Sequence, residues 1–182
     1  MRLASTSLGG GGDMDRLLFT LAETLMTRGI RPAGVVQVNT DRSDGQPCDM
    51  DVCVLGTDTQ LRISQSLGAG ARGCRLDPQA LETAVALVLN RLAAGADCLI
   101  INKFGKQEAL GRGFRSVIAE ALSLDIPVLV GVNPNNLDAL EAFAEGLHVA
   151  LPPEIPLLAD WLSSGAAEIA AETHPNDIHA AD

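Results

Sequence analysis

A cluster of basic residues marks one short stretch of the chain. The only two lysines among the 182 residues, Lys103 and Lys106, follow the apolar run Cys98 to Ile101, and Arg112 and Arg115 lie close behind. An apolar run that ends in polar residues is typical of a buried parallel strand that delivers side chains to a site. We therefore expect a functional site just after this run. Because the chain as a whole carries a net charge of -10, the local positive charge favours an anionic ligand.

A glycine-rich segment forms a second candidate anion site. It consists of Gly9, Gly10, Gly11 and Gly12. The segment follows a weak strand pattern and precedes a helix pattern that Asp13 or Asp15 can cap. Unpaired amides at a helix N-terminus attract anions. The alternative is a flexible loop, because the two aspartates would repel an anion at close range.

Two further segments carry polar or metal-binding side chains. The glycine-rich loop over 66–75 holds Arg72 and Arg75, which could close over an oxyanion, although a solvated connection is equally compatible with this composition. Near a predicted hairpin, a second group could supply mixed sulfur and oxygen ligands. Its members are Cys48, Asp49 and Asp51, with Cys74 in reach. The alternative for this group is an ordinary hairpin with polar edges.

The spacing of apolar residues predicts the elements that must position these side chains. Strands are expected over 2–7, 33–38, 98–101 and 127–132, and a β-hairpin over 50–64 interrupts their alternation with helices. Helices are expected after Asp13, after the Asp77-Pro78 start, after Gly113 and after Asn136, and a short one closes the domain. This alternation predicts an α/β fold with a three-layer, mostly parallel sheet. Ligands bind such sheets at the carboxyl ends of the strands, so residues 7–12, 102–106 and 133–136 should converge there.

The length and composition predict one acidic domain. We expect a single core over residues 1–164, followed by a flexible acidic tail over 165–182. A sequence pI near 4.6 disfavours nucleic-acid and anionic-membrane surfaces, because both are polyanions. No apolar run reaches the roughly 18 residues of a membrane helix, and no signal-peptide pattern is present, so a cytoplasmic protein is expected. The four cysteines are expected to be reduced, and their spacing predicts no metal site.

Several segments resemble known families. Residues 100–108, with Phe114 and the strand at 127–129, resemble the strand and loop of THEP-type nucleoside-triphosphatases, in which the strand ends in Asp-Glu. A more specific resemblance is to a bacterial domain family of unknown function, often encoded beside molybdate-uptake genes and similar to a divergent branch of that P-loop group. Its segments here are 48–51, 62–65 with Ser64 and Gln65, 73–77 and 102–106. The resemblance spans about residues 14–163 and implies a P-loop NTPase-type fold with an inserted hairpin.

The chain departs from the P-loop pattern at the positions that carry the chemistry. A working P-loop reads G-x-x-x-x-G-K-[ST], and its lysine and hydroxyl hold the phosphates and magnesium. The corresponding stretch here, residues 7–13, has neither residue, and Asn102-Lys103 replaces the acidic pair. These losses imply a degenerate P-loop that does not hydrolyse nucleotides.

The leading hypothesis is metal-independent binding of a small oxyanion or a phosphorylated ligand. The expected ligand-binding residues are Gly9, Gly10, Gly11, Gly12, Arg72, Arg75, Asn102, Lys103, Gly105 and Lys106, with Cys48, Asp49, Asp51, Ser64, Gln65 and Cys74 as secondary candidates. The resemblance implies molybdate or tungstate, or a nucleotide, as the ligand. Three alternatives remain: lysines that merely pair with Glu108 and Asp97 on a solvated rim, a protein-interaction or regulatory module that could form a homo-oligomer, and an active nucleoside-triphosphatase.

Overall fold

A computed structural model describes residues 2–9, 12–40, 48–65 and 75–172, with side chains described through residue 164. The strands are β1 (Leu3–Thr6), β2 (Pro32–Thr40), β3 (Asp49–Val54), β4 (Gln60–Arg62), β5 (Cys98–Phe104), β6 (Val128–Val132) and β7 (His148–Ala150). The helices are α1 (Asp13–Thr27), α2 (Pro78–Ala93), α3 (Lys106–Ala109), α4 (Arg115–Ser123), α5 (Leu137–Ala144) and α6 (Ile155–Glu172), and a 3-10 turn spans Pro134–Asn136.

These strands form one sheet with the order β4-β3-β2-β5-β6-β1-β7. Neighbouring strands pair in parallel along the series β2-β5-β6-β1-β7. Strands β3 and β4 add an antiparallel hairpin at the β2 edge. The predicted mostly parallel α/β sheet and its hairpin are therefore confirmed. Gly34 allows β2 to pair with β5, because its φ is 117° and a Cβ atom there would overlap the backbone of Ile100.

Helices cover both faces of the sheet, so the domain has three layers. On one face, α1 and α6 pack on the strands through a cluster that includes Leu18, Leu21, Ile100 and Leu158. On the opposite face, α2, α4 and α5 form a second and larger cluster. The buried strands β5 and β6 are apolar on both sides, as parallel strands between two helix layers must be.

A local sequence signal explains where α2 begins, whereas α1 begins differently from the prediction. The Asp77 carboxylate accepts hydrogen bonds from the backbone amides of Gln79 (2.9 Å) and Ala80 (3.2 Å), and Pro78 is the first residue of α2, as predicted. The start of α1 differs from the prediction. Its cap is Gly12, in a left-handed conformation with φ of 89°, and no side chain caps the helix. Asp13 and Asp15 lie in the first turn instead.

Three boundaries also differ from the prediction. Strand β5 continues to Phe104, so Asn102 and Lys103 lie on the strand and not after it. The three-residue edge strand β7 was missed, since a strand this short has too few residues for a recognisable alternation. Helix α6 continues to Glu172, because the alanine-rich stretch after Gly165 favours helix. The predicted single domain and acidic tail stay predictions, and residues 173–182 lie outside the described residues. Among the described helices, none is long and apolar enough to cross a membrane.

An ion pair joins β2 and β5 at the edge of the sheet opposite to the carboxyl ends. The Asp97 carboxylate accepts hydrogen bonds from the backbone amide (2.7 Å), Nε (3.0 Å) and Nη2 (2.7 Å) of Arg31. The side-chain hydrogen bond from Arg31 lowers the pKa of Asp97 below its ordinary value, although partial burial opposes this effect.

We predict that this pair makes stability depend on pH. Because the pKa of Asp97 is lower in the folded than in the unfolded protein, its stabilising contribution is present above the unfolded-state pKa and is lost as the pH falls through the folded-state pKa. Asp97→Asn should therefore lower the free energy of unfolding at pH 7, and its difference from the wild type should shrink towards pH 3. Urea unfolding of both proteins across this range provides the measurement. A difference that is independent of pH would contradict the prediction.

Candidate functional site

The carboxyl ends of the parallel strands surround a cavity of about 390 Å³. Gly12 from the start of α1, Lys103 from β5 and Asn133 from the turn after β6 all contribute to its lining. The Asn133 side chain accepts a hydrogen bond from the backbone amide of Asn135 (3.0 Å) and thereby holds the turn. The structure thus brings the three predicted segments together. We call this space the glycine-loop cavity.

Five polar side chains form a hydrogen-bonded group beside this cavity, which we call the Asp15 cluster. Its members are Asp15, Gln37, Asn39, Asn102 and Lys103. One carboxylate oxygen of Asp15 accepts from Asn102 Nδ2 (2.7 Å) and the other accepts from Asn39 Nδ2 (2.6 Å). Gln37 Nε2 donates to Asn39 Oδ1 (2.7 Å). The cluster therefore links α1, β2 and β5 through side chains alone.

Asn102 fixes the orientation of this group. Only 3% of Asn102 is exposed, and its Oδ1 accepts a hydrogen bond from the backbone amide of Gln37 (3.0 Å). Because this contact requires the oxygen to face β2, the amide nitrogen must face Asp15. Asp15 is also buried, with 6% exposed, and a carboxylate that accepts from both neighbours is satisfied there.

Lys103 provides the positive charge of the cluster. Its ammonium group lies 3.4 Å from Asp15 Oδ1 and 3.2 Å from Gln37 Oε1, and 53% of the side chain is exposed. The predicted alternative, in which the lysines pair with Asp97 and Glu108, is wrong. Asp97 pairs with Arg31 at the other edge of the sheet, and Glu108 accepts from backbone amides.

Lys103 also lies where three cavities meet. Besides the glycine-loop cavity, it lines a space of about 740 Å³ with Asp15, Arg16 and Asn39, which we call the Asn39 cavity. It further lines a space of about 430 Å³ between β3, α2 and α3, which we call the hairpin cavity. A ligand in any of the three would be near its ammonium group.

Glu108 holds the loop that carries the second lysine. Its two carboxylate oxygens accept hydrogen bonds from the backbone amides of Gly105 (2.9 Å) and Phe114 (3.1 Å), and only 4% of the residue is exposed. Gly113 leaves room for this carboxylate, since a Cβ atom there would lie 2.5 Å from Glu108 Oε1. This arrangement fixes the short helix α3 and thereby positions Lys106, which makes no ion pair with any described residue.

The other predicted residues have different surroundings. Gly12 lines two of the cavities and Gly9 is exposed. Arg75 lines the hairpin cavity and donates from Nη1 to the Cys48 carbonyl oxygen (2.9 Å). Gly10, Gly11, Arg72 and Cys74 lie outside the described residues. A ligand-binding role stays a prediction for all of them.

The secondary candidates make contacts typical of a hairpin with polar edges. Arg62 pairs with Asp49 (2.7 Å) and with Asp51 (2.6 Å) across β3 and β4. Ser64 Oγ accepts from the backbone amide of Met50 (3.0 Å), and Gln65 Nε2 donates to the carbonyl oxygen of Leu76 (3.1 Å). In the part of the chain that the structure describes, no three His, Cys, Asp or Glu side chains are grouped as metal ligands.

Sequence reasoning missed three members of the Asp15 cluster. Gln37 and Asn39 occupy alternate positions at the end of β2, which places them on one face, and this i, i+2 polarity was the available signal. Asp15 was interpreted as a helix cap, and no local pattern identifies its partners on β2 and β5.

Comparison with known proteins identifies the family of this chain. Residues 3–161 match the family model described as "Protein of unknown function (DUF2478)". The chain belongs to this family. It is also 37% identical over 149 residues to the Molybdenum import ATP-binding protein ModC 2 of Bradyrhizobium diazoefficiens, a match that covers 82% of this chain. The DUF2478 chain spans only 17% of the length of that relative.

Two solved structures share the fold of this DUF2478 chain. A human cancer-related nucleoside triphosphatase has a TM-score of 0.57 at 18% identity, with 96% of this chain and 100% of that chain covered. THEP1 from the hyperthermophile Aquifex aeolicus has a TM-score of 0.57 at 15% identity, with 84% and 89% covered. The expected P-loop NTPase-type fold is therefore confirmed.

We predict that Asn102→Asp destabilises the protein at neutral pH. The change removes the amide that donates to Asp15 and places a second carboxylate against it in a buried position, so we expect a loss of about 1–3 kcal/mol in the free energy of unfolding. Urea unfolding of the variant and the wild type at pH 7 measures the loss.

Asn39→Asp is the matched control, because Asn39 also donates to Asp15 but is exposed. Water screens this second carboxylate, so the loss in the free energy of unfolding should be clearly smaller for Asn39→Asp than for Asn102→Asp. Equal costs for the two variants would show that burial of Asn102 does not govern the effect.

Proposed function

We propose that this protein binds a small oxyanion or a phosphorylated ligand at the carboxyl edge of the sheet and does not hydrolyse it. The observation that carries the proposal is the position of Lys103, the cation at the meeting point of three cavities. An ammonium group has three donors, and one of them is used by Gln37 Oε1. The Asp15 carboxylate lies 3.4 Å away as an ion pair. A donor of Lys103 is therefore available to an anionic ligand.

The residues around the glycine segment support binding without hydrolysis. Asp13 and Met14 stand where the lysine and hydroxyl of a working P-loop are expected, and Met14 is a buried apolar side chain packed beside Gly131. Asn102 uses its amide to hold Asp15. The described side chains thus supply neither the phosphate lysine nor the magnesium hydroxyl that phosphoryl transfer requires.

The Asp15 carboxylate sets a condition on the ligand. A dianion approaching Lys103 must compete with Asp15 for the same ammonium group, and the two negative charges would repel each other at short range. Lys106 and Arg75 line the hairpin cavity, and Asp15 is not part of its wall. The electrostatics therefore favour an anion in the hairpin cavity.

The relative with 37% identity suggests which anions to test. That relative is named as an ATP-binding protein of molybdenum import. Molybdate and tungstate are therefore candidate ligands of this chain, along with phosphorylated compounds.

Thermal unfolding tests the proposal with molybdate, tungstate, sulfate, phosphate, ATP and GTP, each with and without magnesium. We expect at least one oxyanion or phosphorylated compound to raise the unfolding midpoint without magnesium, since a ligand at a hundredfold excess over its Kd stabilises the folded state by about 2.7 kcal/mol. Lys103→Met should abolish this shift. The matched control is Arg112→Met, which removes an exposed cation outside the three cavities and should leave the shift unchanged. A shift that requires both magnesium and nucleotide would contradict the proposal.

A second candidate function is a regulatory module for a transport protein. The observation that favours it is that a sequence similar to this chain forms 17% of the length of a longer ATP-binding protein. A net charge of -10 would suit a basic partner surface.

This candidate predicts that the chain binds the separately purified ATP-binding subunit of a molybdate importer from the same organism. The double variant Glu141→Lys and Glu145→Lys, which reverses two exposed charges at α5, tests one part of the acidic surface. Weaker binding in calorimetry, with the anion-induced thermal shift unchanged, would support an interaction surface separate from the anion site. Absence of binding by the wild-type chain would exclude this partner.

A further inference from the structure

The hairpin cavity has the most apolar wall of the three cavities. Its apolar wall includes six side chains from β2, β3, α2 and the segments that follow β4 or precede α2 and α4: Val35, Val52, Ile63, Leu76, Leu81 and Phe114. All six belong to, or pack against, the larger hydrophobic cluster of the domain. The cavity is therefore an opening into the core on the side of α2. Its volume of about 430 Å³ lies within the range of small-molecule sites.

The charged groups around this wall are mostly positive. Arg75, Lys103 and Lys106 line the cavity, and Glu108 is the only carboxylate among the described lining residues. Both oxygens of Glu108 accept hydrogen bonds from the backbone amides of Gly105 and Phe114, so this carboxylate is already engaged. The other two cavities both contain Asp15 in their walls. The hairpin cavity thus combines an apolar interior with an excess of positive charge.

We propose that the ligand is an organic anion with an apolar body of about the size of one ring. The body lies in the hairpin cavity against Leu76 and Phe114, and the anionic group contacts Lys103 and Lys106. A bare tetraoxyanion would leave the apolar wall in contact with water and would gain nothing from it. This inference rests on the proposed anion-binding function and narrows its ligand class.

Isothermal titration of the full chain with inorganic phosphate, phenyl phosphate and benzyl alcohol tests this inference. Phenyl phosphate should bind at least about tenfold more tightly than inorganic phosphate, because burial of the ring adds to the ion contact. Benzyl alcohol, which has the ring without the charge, should bind at least about tenfold more weakly than phenyl phosphate.

Variants assign the two halves of the site. Leu76→Gln places a polar group in the wall at a half-buried position. It should weaken the binding of phenyl phosphate by about tenfold and leave the affinity for inorganic phosphate unchanged. Met50→Gln, at another half-buried lining position, should do the same and guards against a folding defect in the first variant. Lys106→Ala should weaken the binding of both phosphates. The controls are Met26→Gln, on the exposed side of α1, and Arg112→Ala, which should change neither affinity.

The possible results separate this inference from the proposed function. Equal affinities for the two phosphates would overturn the apolar subsite and leave anion binding in place. Benzyl alcohol binding as tightly as phenyl phosphate would overturn the joint recognition of charge and ring. No binding of either phosphate, nor of any anion in the thermal panel, would overturn the inference and the proposed function together.

Discussion

The buried side chain of Asn102 is the constraint on which the candidate site depends. Its oxygen accepts from the backbone of β2, and its nitrogen donates to Asp15 at the start of α1. Each of these partners is itself buried or part of the sheet, so the amide cannot rotate without leaving polar groups unsatisfied. Lys103, the next residue, is therefore presented at one defined position on the rim.

This arrangement gives the edge of the sheet a charge pattern unlike that of a nucleotide-hydrolysing site. A working P-loop places a lysine and a metal ion against the phosphates. Here the first turn of α1 contributes the acidic Asp15, and β5 contributes the basic Lys103, so the positive charge has moved from the glycine segment to the central strand. The same fold can thus carry different charges at this edge of its sheet.

A second buried carboxylate shapes the other side of the site. Glu108 holds the loop between β5 and α4 through two backbone amides, and it requires glycine at position 113 to fit. Glu108 lines the hairpin cavity with both oxygens engaged by these amides, and Arg75, Lys103 and Lys106 line the same cavity. The apolar wall of this cavity is continuous with the hydrophobic core.

Local sequence patterns determined most of the fold and the location of the site. Apolar periodicity identified β2, β5, β6 and the helices that flank them, the Asp77-Pro78 pair marked the start of α2, and turn residues marked the hairpin. The position of the only two lysines after an apolar run pointed to the carboxyl edge of the sheet, where the structure places Lys103 beside the three cavities. Such signals are readable because each arises from residues that are neighbours in the chain.

Only the tertiary structure decided which side chains meet at that edge. Asn102 is 87 residues from Asp15 and 65 residues from Gln37, and these contacts exist because β5 lies beside β2 and below α1. The sequence suggested Glu108 and Asp97 as partners of the lysines because they are close in the chain, but sheet order and register place Asp97 at the opposite edge. Hydrogen-bond partners across strands depend on long-range pairing, which no local pattern specifies.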